Sequence, residues 1–120
     1  MTPAPPSVVL LPIELDQVNA DAVRELLTAK LAPGAVVIAD MTSTTFCDSA
    51  GVGGIVHAWQ RSKAEDCDLR LLMLPESQVL RIFGLLGLDK ALPIYPSFDK
   101  ALAGDPHSPA DNSRGQQKSA

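Results

Sequence analysis

Short runs of apolar, β-type residues recur along the chain, at Val8 to Leu11, at Ala35 to Ala39 with Met41, and at Leu69 to Leu74. Each is continuous rather than alternating and is bounded by Pro, Gly or Asp, the pattern of a strand covered on both faces. Between the runs, hydrophobic residues return at helical spacing. Val23, Leu26, Leu27 and Leu31 form one stripe, opened by Asn19 or Asp21 as a cap and stopped by Pro33-Gly34. Val52, Ile55, Val56 and Trp59 form a second, in a helix that starts near Ser49 and turns Gln60, Arg61 and Lys63 mostly away from that face. Val79, Leu80, Phe83 and Leu86 form a third, predicted to begin at Pro75-Glu76 and to end at Gly87. Phe83, with the Leu85, Leu86 and Leu88 cluster, is expected in the core, and Trp59 in or at its edge. A short strand over Leu92 to Tyr95 and a helix over Ser97 to Leu102 follow. The order β-α-β-α-β-α-β-α predicts an α/β domain with a mainly parallel sheet and crossover helices.

With 120 residues there is room for one core without a disulfide or metal staple. The folded part is expected over residues 8–103, after a flexible N-terminus at 1–7. Residues 104–120 are rich in Gly, Pro, Ser, Asp, Asn and Gln, too poor in large apolar groups to offset ordering entropy, and read as a disordered tail. Cys47 and Cys67 lie in no C-x-x-C or Cys/His cluster, which points to reduced thiols and no metal site. The opening MTPAPPS lacks a charged n-region followed by an apolar run, and no segment approaches the ~20 apolar residues of a membrane span, so a soluble cytoplasmic protein without a membrane partner is expected. The net charge is −4, with Lys and Arg scattered singly, which argues against nucleic acid as a partner.

Candidate chemistry gathers in Asp40-Met41-Thr42-Ser43-Thr44-Thr45-Phe46-Cys47-Asp48-Ser49-Ala50-Gly51-Val52-Gly53-Gly54, between a buried strand and a helix. Ser49 falls where the helix begins, so its hydroxyl is expected at the sheet rim beside free backbone N–H groups, as a phosphoacceptor or simply as an N-cap. Asp48 reads as a cap, a partner contact, or both; Asp16 as a surface or capping residue or a direct contact. Thr42, Ser43, Thr44 and Thr45 read as turn hydroxyls, any one of them a secondary acceptor. Gly51, Gly53 and Gly54 each cost a helix roughly 0.5–1 kcal/mol relative to alanine, which implies that another backbone or another protein comes close. His57 is eight residues from Ser49, ~12 Å along a helix, too far for a nucleophile and its base. The glycines form no phosphate-binding loop. No catalytic residue and no cofactor is expected, hence no enzyme.

The pattern Asp40-Met41-Thr42, a spacer, then Phe46-Cys47-Asp48-Ser49-Ala50-Gly51-Val52 resembles the signature of bacterial anti-sigma factor antagonists of the STAS family. Glu14-Leu15-Asp16 with Asn19-Ala20 is similar to the family's Gly-Glu-Leu-Asp segment, and Ile82 to Leu88 through Pro93 to Ser97 resembles its C-terminal half, so the likeness covers Val8 to Leu102. It implies a small mixed, mainly parallel sheet with crossover helices on one side. It also implies a phospho-switch at Ser49. The unphosphorylated protein would bind an anti-sigma serine kinase with a histidine-kinase-like ATPase fold, freeing a sigma factor, and a phosphoserine phosphatase would reset it. The partner-binding residues it implies are Asp16, Asp48, Ser49, Ala50, Gly51 and Val52. A STAS subunit of a stressosome-like or lipid-transport assembly, with no phospho-switch, is the other reading. The chain departs from the family at Ile13, where glycine is usual, and in the short run before Val8, which leaves out or shortens an N-terminal edge strand.

Overall fold

The computed structural model describes residues 5–104, and the expectations for 1–4 and 105–120 lie outside the described residues. In chain order the elements are β1 (Ser7–Leu10), β2 (Glu14–Leu15), α1 (Ala20–Thr28), β3 (Val36–Asp40), β4 (Phe46–Cys47), α2 (Ser49–Ala64), β5 (Asp68–Leu72), α3 (Gln78–Leu85), β6 (Ile94–Tyr95) and α4 (Phe98–Ala103). Ser7 thus already belongs to a strand, and Gly104, at φ 76°, closes α4 in the left-handed conformation that glycine adopts without strain.

The main sheet runs β1-β3-β5-β6, with every pair parallel. Lying between β1 and β5, β3 buries Val37, Ile38 and Ala39 on both faces, which is why its sequence is an unbroken apolar run. The crossover helices share one face. Val23 and Leu27 of α1, Val52, Ile55 and Ala58 of α2, and Val79 and Phe83 of α3 meet Val37, Ala39, Leu69 and Leu71 in a single cluster. The opposite face is covered by α4, whose Ala101 packs on Ile38, Leu72 and Tyr95.

Arg70 fixes α4 to that face. Its Nη1 donates to the carbonyls of Ala101 (2.7 Å) and Leu102 (3.2 Å), while Nε and Nη2 donate to Asp68 Oδ2 at 3.1 and 2.8 Å. The guanidinium also lies 6.0 Å from the centre of the Tyr95 ring. A six-residue helix is too short to persist alone, so side-chain clamping of its last carbonyls is a large share of what holds it.

At one edge of the sheet, Leu11 donates its N–H to Asp40 across the β1–β3 ladder. Alternation along a strand then turns the backbone groups of Val9 toward β3 and those of Val8 and Leu10 toward the open edge. The Leu10 side chain is 63% exposed, on the face that α4 does not reach across to cover.

Several expectations change. The two-residue strands β2 and β4 are additional to the predicted order. Helix α3 starts at Gln78 rather than at Pro75-Glu76, because the Ser77 hydroxyl accepts from Leu80 N–H (3.2 Å) and Leu74 to Ser77 forms a turn. Leu74 lies outside β5 and is exposed. Phe83 is buried as expected, but Leu26, Leu85 and Leu86 are exposed: short helices lying on a sheet bury a stripe, and these residues flank it.

Replacing Arg70 by methionine keeps the apolar stem and removes the clamp. The expected loss is about 1–3 kcal/mol of stability in urea titration. Amide exchange should quicken at Ala101 and Gly104 while the amides of β3 keep their protection.

Candidate functional site

Past Leu11 and Asp40 the first two strands of the sheet leave it side by side and pair again as β2 and β4, with Glu14 opposite Phe46 and Leu15 opposite Cys47. The gap between the two ladders is bridged by one side chain and one backbone group. Thr44, 3% exposed, donates its hydroxyl to Pro12 O at 2.8 Å, and Thr45 N–H donates to Ile13 O at 2.8 Å. Asp40 Oδ1 accepts from both the N–H (2.9 Å) and the hydroxyl (2.7 Å) of Thr42. The hydroxyls of Thr42, Thr44 and Thr45 are thus committed to the loop, as turn residues; Ser43 is exposed.

Helix α2 follows β4 directly, and its N-cap is Asp48. Asp48 Oδ1 accepts from Gly51 N–H at 2.9 Å, while Oδ2 accepts from Gln17 N–H at 3.2 Å in the turn before α1. One carboxylate therefore ties the start of α2 to the start of α1. Ser49 is the first helical residue and not the cap. Its side chain is exposed and makes no hydrogen bond among the described residues.

The turn between β2 and α1 is built by Asp16 and Asn19. Asp16 Oδ1 accepts from Val18 N–H (3.0 Å), and Asn19 spans back to accept from Asp16 N–H (2.9 Å) and donate to Glu14 O (2.8 Å). Asn19 sits at the N-cap of α1 but spends its side chain on that turn instead of on the helix. Asp16 is half-buried and acts first as a turn former.

The glycines after Ser49 separate into different roles. A Cβ on Gly51 would lie 2.8 Å from Leu15 Cγ and 2.9 Å from Cys47 Sγ, and closer still to the Leu15 carbonyl oxygen. Gly51 is there because β2 runs against it. Gly54 faces Ala20 O of α1, 3.2 Å from where its Cβ would be, which lets α1 and α2 pack closely. Around Gly53 a Cβ would meet nothing within 4 Å.

Of the residues proposed from sequence for partner contact, Ser49 is exposed and Asp16, Asp48 and Ala50 are half-buried around it. Gly51 and Val52 are corrected: both are buried, Gly51 under β2 and Val52 in the core, so they shape the site from below without offering a contact surface. Sequence reasoning missed Gln17, whose backbone donor meets Asp48 only in the folded chain, and Phe46, 47% exposed on β4. Exposed apolar residues nearby in the chain, Ile13 and Val18, flank the β2 turn.

Beneath the site, burial and the neighbouring Asp48 carboxylate push the Cys47 thiol up to about 12. It is an inert packing group at neutral pH. Among the described residues no group of His, Cys, Asp and Glu side chains could hold a metal ion, and no helix is long and apolar enough to cross a membrane.

Comparison with known proteins places this geometry. Residues 2–101 match the profile of the STAS domain. A protein of Mycobacterium tuberculosis named as an anti-anti-sigma factor is 33% identical over 101 residues, covering 81% of this chain and 67% of its own. An anti-sigma factor antagonist from Mycobacterium paratuberculosis superposes with a TM-score of 0.70 at 27% identity, over 82% of this chain and 83% of that one. A sulfate transporter family protein from Wolinella succinogenes shares the fold alone, with a TM-score of 0.70 at 18% identity over 82% of each chain.

The contrast between Gly51 and Gly53 is measurable. Gly51→Ala forces a methyl group into the β2 backbone and should cost more than about 2 kcal/mol, whereas Gly53→Ala should stabilise by about 0.4–1 kcal/mol through the unfolded chain; chemical denaturation of both reads the opposite signs. Cys47 gives a pH signature. Its proton stays on to about 12 in the fold but leaves near the ordinary 9.0 in the unfolded chain, so the unfolded state binds fewer protons between those values and stability falls as pH rises through that window. Cys47→Ala should flatten the fall, and alkylation of native Cys47 at pH 8 should be slow until denaturant is added.

Proposed function

The chain belongs to the STAS domain family, and from that premise we propose that it is an anti-sigma factor antagonist switched at Ser49. Unphosphorylated, it docks on an anti-sigma serine kinase of histidine-kinase-like ATPase fold and frees the sigma factor that the kinase holds, which places it in the cytoplasm as a regulator of transcription and not as an enzyme. In the kinase site the γ-phosphoryl of ATP moves to Ser49 Oγ; the new O–P bond forms as the bond to ADP breaks, and the hydroxyl proton passes to a base of the kinase. A phosphoserine phosphatase removes the group.

The observation that carries this reading is the state of the Ser49 hydroxyl. It stands exposed at the first position of α2, with no intramolecular bond among the described residues, while Asp48 performs the capping. A side chain with no part in holding the fold is available to a partner. Phosphorylation would add about −1.5 to −2 charges there. The Asp48 carboxylate, which accepts from Gly51 N–H, would lie next to the new anion, and repulsion between the two turns the phosphate toward the docking partner. Asp16, Asp48 and Ala50 form the rest of the contact around Ser49.

Incubation with the cognate kinase and ATP should add one phosphate, abolished by Ser49→Ala; mass spectrometry showing undiminished phosphate on that variant would move the acceptor to Ser43 or elsewhere. In binding, Ser49→Ala should retain most of the parent affinity and Ser49→Asp should lose at least about tenfold, since burying an unpaired carboxylate at an interface commonly costs several kcal/mol. Both variants should keep the parent circular dichroism. Calorimetry in which Ser49→Asp binds as tightly as a binding-competent parent would reject charge exclusion and favour a role as a constitutive assembly subunit.

A further inference from the structure

We infer that Gly53 is a specificity-determining notch in the docking face, shaped to admit the active-site rim of the kinase beside Ser49. The inference rests on the reading of Ser49 as phosphoacceptor and adds a residue to it.

Three observations lead there. Ser49, Gly53 and His57 follow one another at i, i+4 and i+8 on α2, so they form one row on the helix surface, and all three are exposed. The neighbouring glycines are accounted for within the chain, Gly51 by the Leu15 backbone and Gly54 by Ala20, but Gly53 is not: a Cβ there would meet nothing within 4 Å. Nor does its backbone require glycine, because the left-handed glycines among the described residues are Gly34, Gly87 and Gly104. A residue disfavoured in a helix interior thus sits where the fold would accept alanine without strain.

The surroundings make the bare position a depression. Ser49 precedes it and His57 follows it in the row, and it opens sideways into a groove whose far wall is formed by Gln17, in the turn before α1, and by Ala20, Asp21 and Arg24 of α1. Phosphoryl transfer fixes what comes to lie over it. A kinase that brings the γ-phosphate of ATP in line with Ser49 Oγ and lies along the exposed row of α2 sets the edge of its active site over the next turn of the helix, about 6 Å along the axis. A side chain standing up from position 53 would hold that edge away. The absence of one allows the partner to approach backbone to backbone, and docking supplies the reason for a glycine that folding does not.

Gly53→Leu tests this, since leucine is a good helix former and its Cβ would meet nothing within 4 Å at this exposed position. The control is Ala64→Leu, an equally exposed position of α2 about 16 Å further along the helix. Each protein is titrated against the anti-sigma serine kinases of the same genome, loaded with nucleotide, and assayed for phosphate incorporation with ATP. The expected result is an affinity at least tenfold lower and slower phosphorylation for Gly53→Leu, with a melting temperature no lower than the parent's, while Ala64→Leu behaves as the parent. Binding of Gly53→Leu within threefold of the parent overturns the inference, as does an equal loss in Ala64→Leu, which would be an effect of added surface hydrophobicity. A parent that neither binds nor accepts phosphate from any kinase fails the reading of Ser49 itself, a result distinct from either of these.

Discussion

The arrangement of the site depends on one carbonyl group, that of Leu15. It accepts the Asp48 N–H at 3.1 Å, which joins β2 to the residue leading into α2, and it also lies against the Cα of Gly51. Only a residue without a Cβ lets the helix start this close to the strand. Given that contact, Asp48 reaches Gly51 with one carboxylate oxygen and Gln17 with the other, and the beginnings of α1 and α2 become a single rigid unit. Ser49 is fixed in position by neighbours on both sides while its own hydroxyl carries no load.

That division of labour bears on how such a switch could evolve and be reset. Where the responsive side chain also caps the helix, modifying it would change a hydrogen bond that starts the helix, a contact worth about 1 kcal/mol. Here Asp48 takes the structural work one residue earlier, so a change of charge at Ser49 alters what the surface presents without loosening what lies beneath. The same separation appears in the glycines, with Gly51 serving the fold and Gly53 not constrained by it.

Much of the architecture was legible in the chain. Buried parallel strands leave continuous apolar runs, and the Val23/Leu27, Val52/Ile55 and Val79/Phe83 stripes mark the helices that cover them. What escaped was short or non-local. Strands β2 and β4 are two residues each, below the length at which any periodicity registers, and they exist because the first and third strands continue in parallel beyond the sheet. The choice between Asp48 and Ser49 as cap is a matter of one residue, settled by which oxygen reaches Gly51 N–H. The burial of Gly51 follows from β2 and could not be foreseen without it, whereas Val52 belongs to the core stripe of its helix. Leu85, 81% exposed, matched a core pattern that an eight-residue helix has no room to bury.

The open edge of the sheet also has a consequence for behaviour in a crowded solution. Counting back from Leu11, whose N–H faces β3, the positions whose backbone faces outward are Leu10, Val8 and Pro6. Proline has no N–H to give. A foreign strand laid along this edge would find donors at Val8 and Leu10 but none at Pro6, where only a carbonyl is offered. The apolar side chains of Val8 and Leu10 therefore stand on a short edge interrupted by proline, a feature that weakens edge-to-edge pairing.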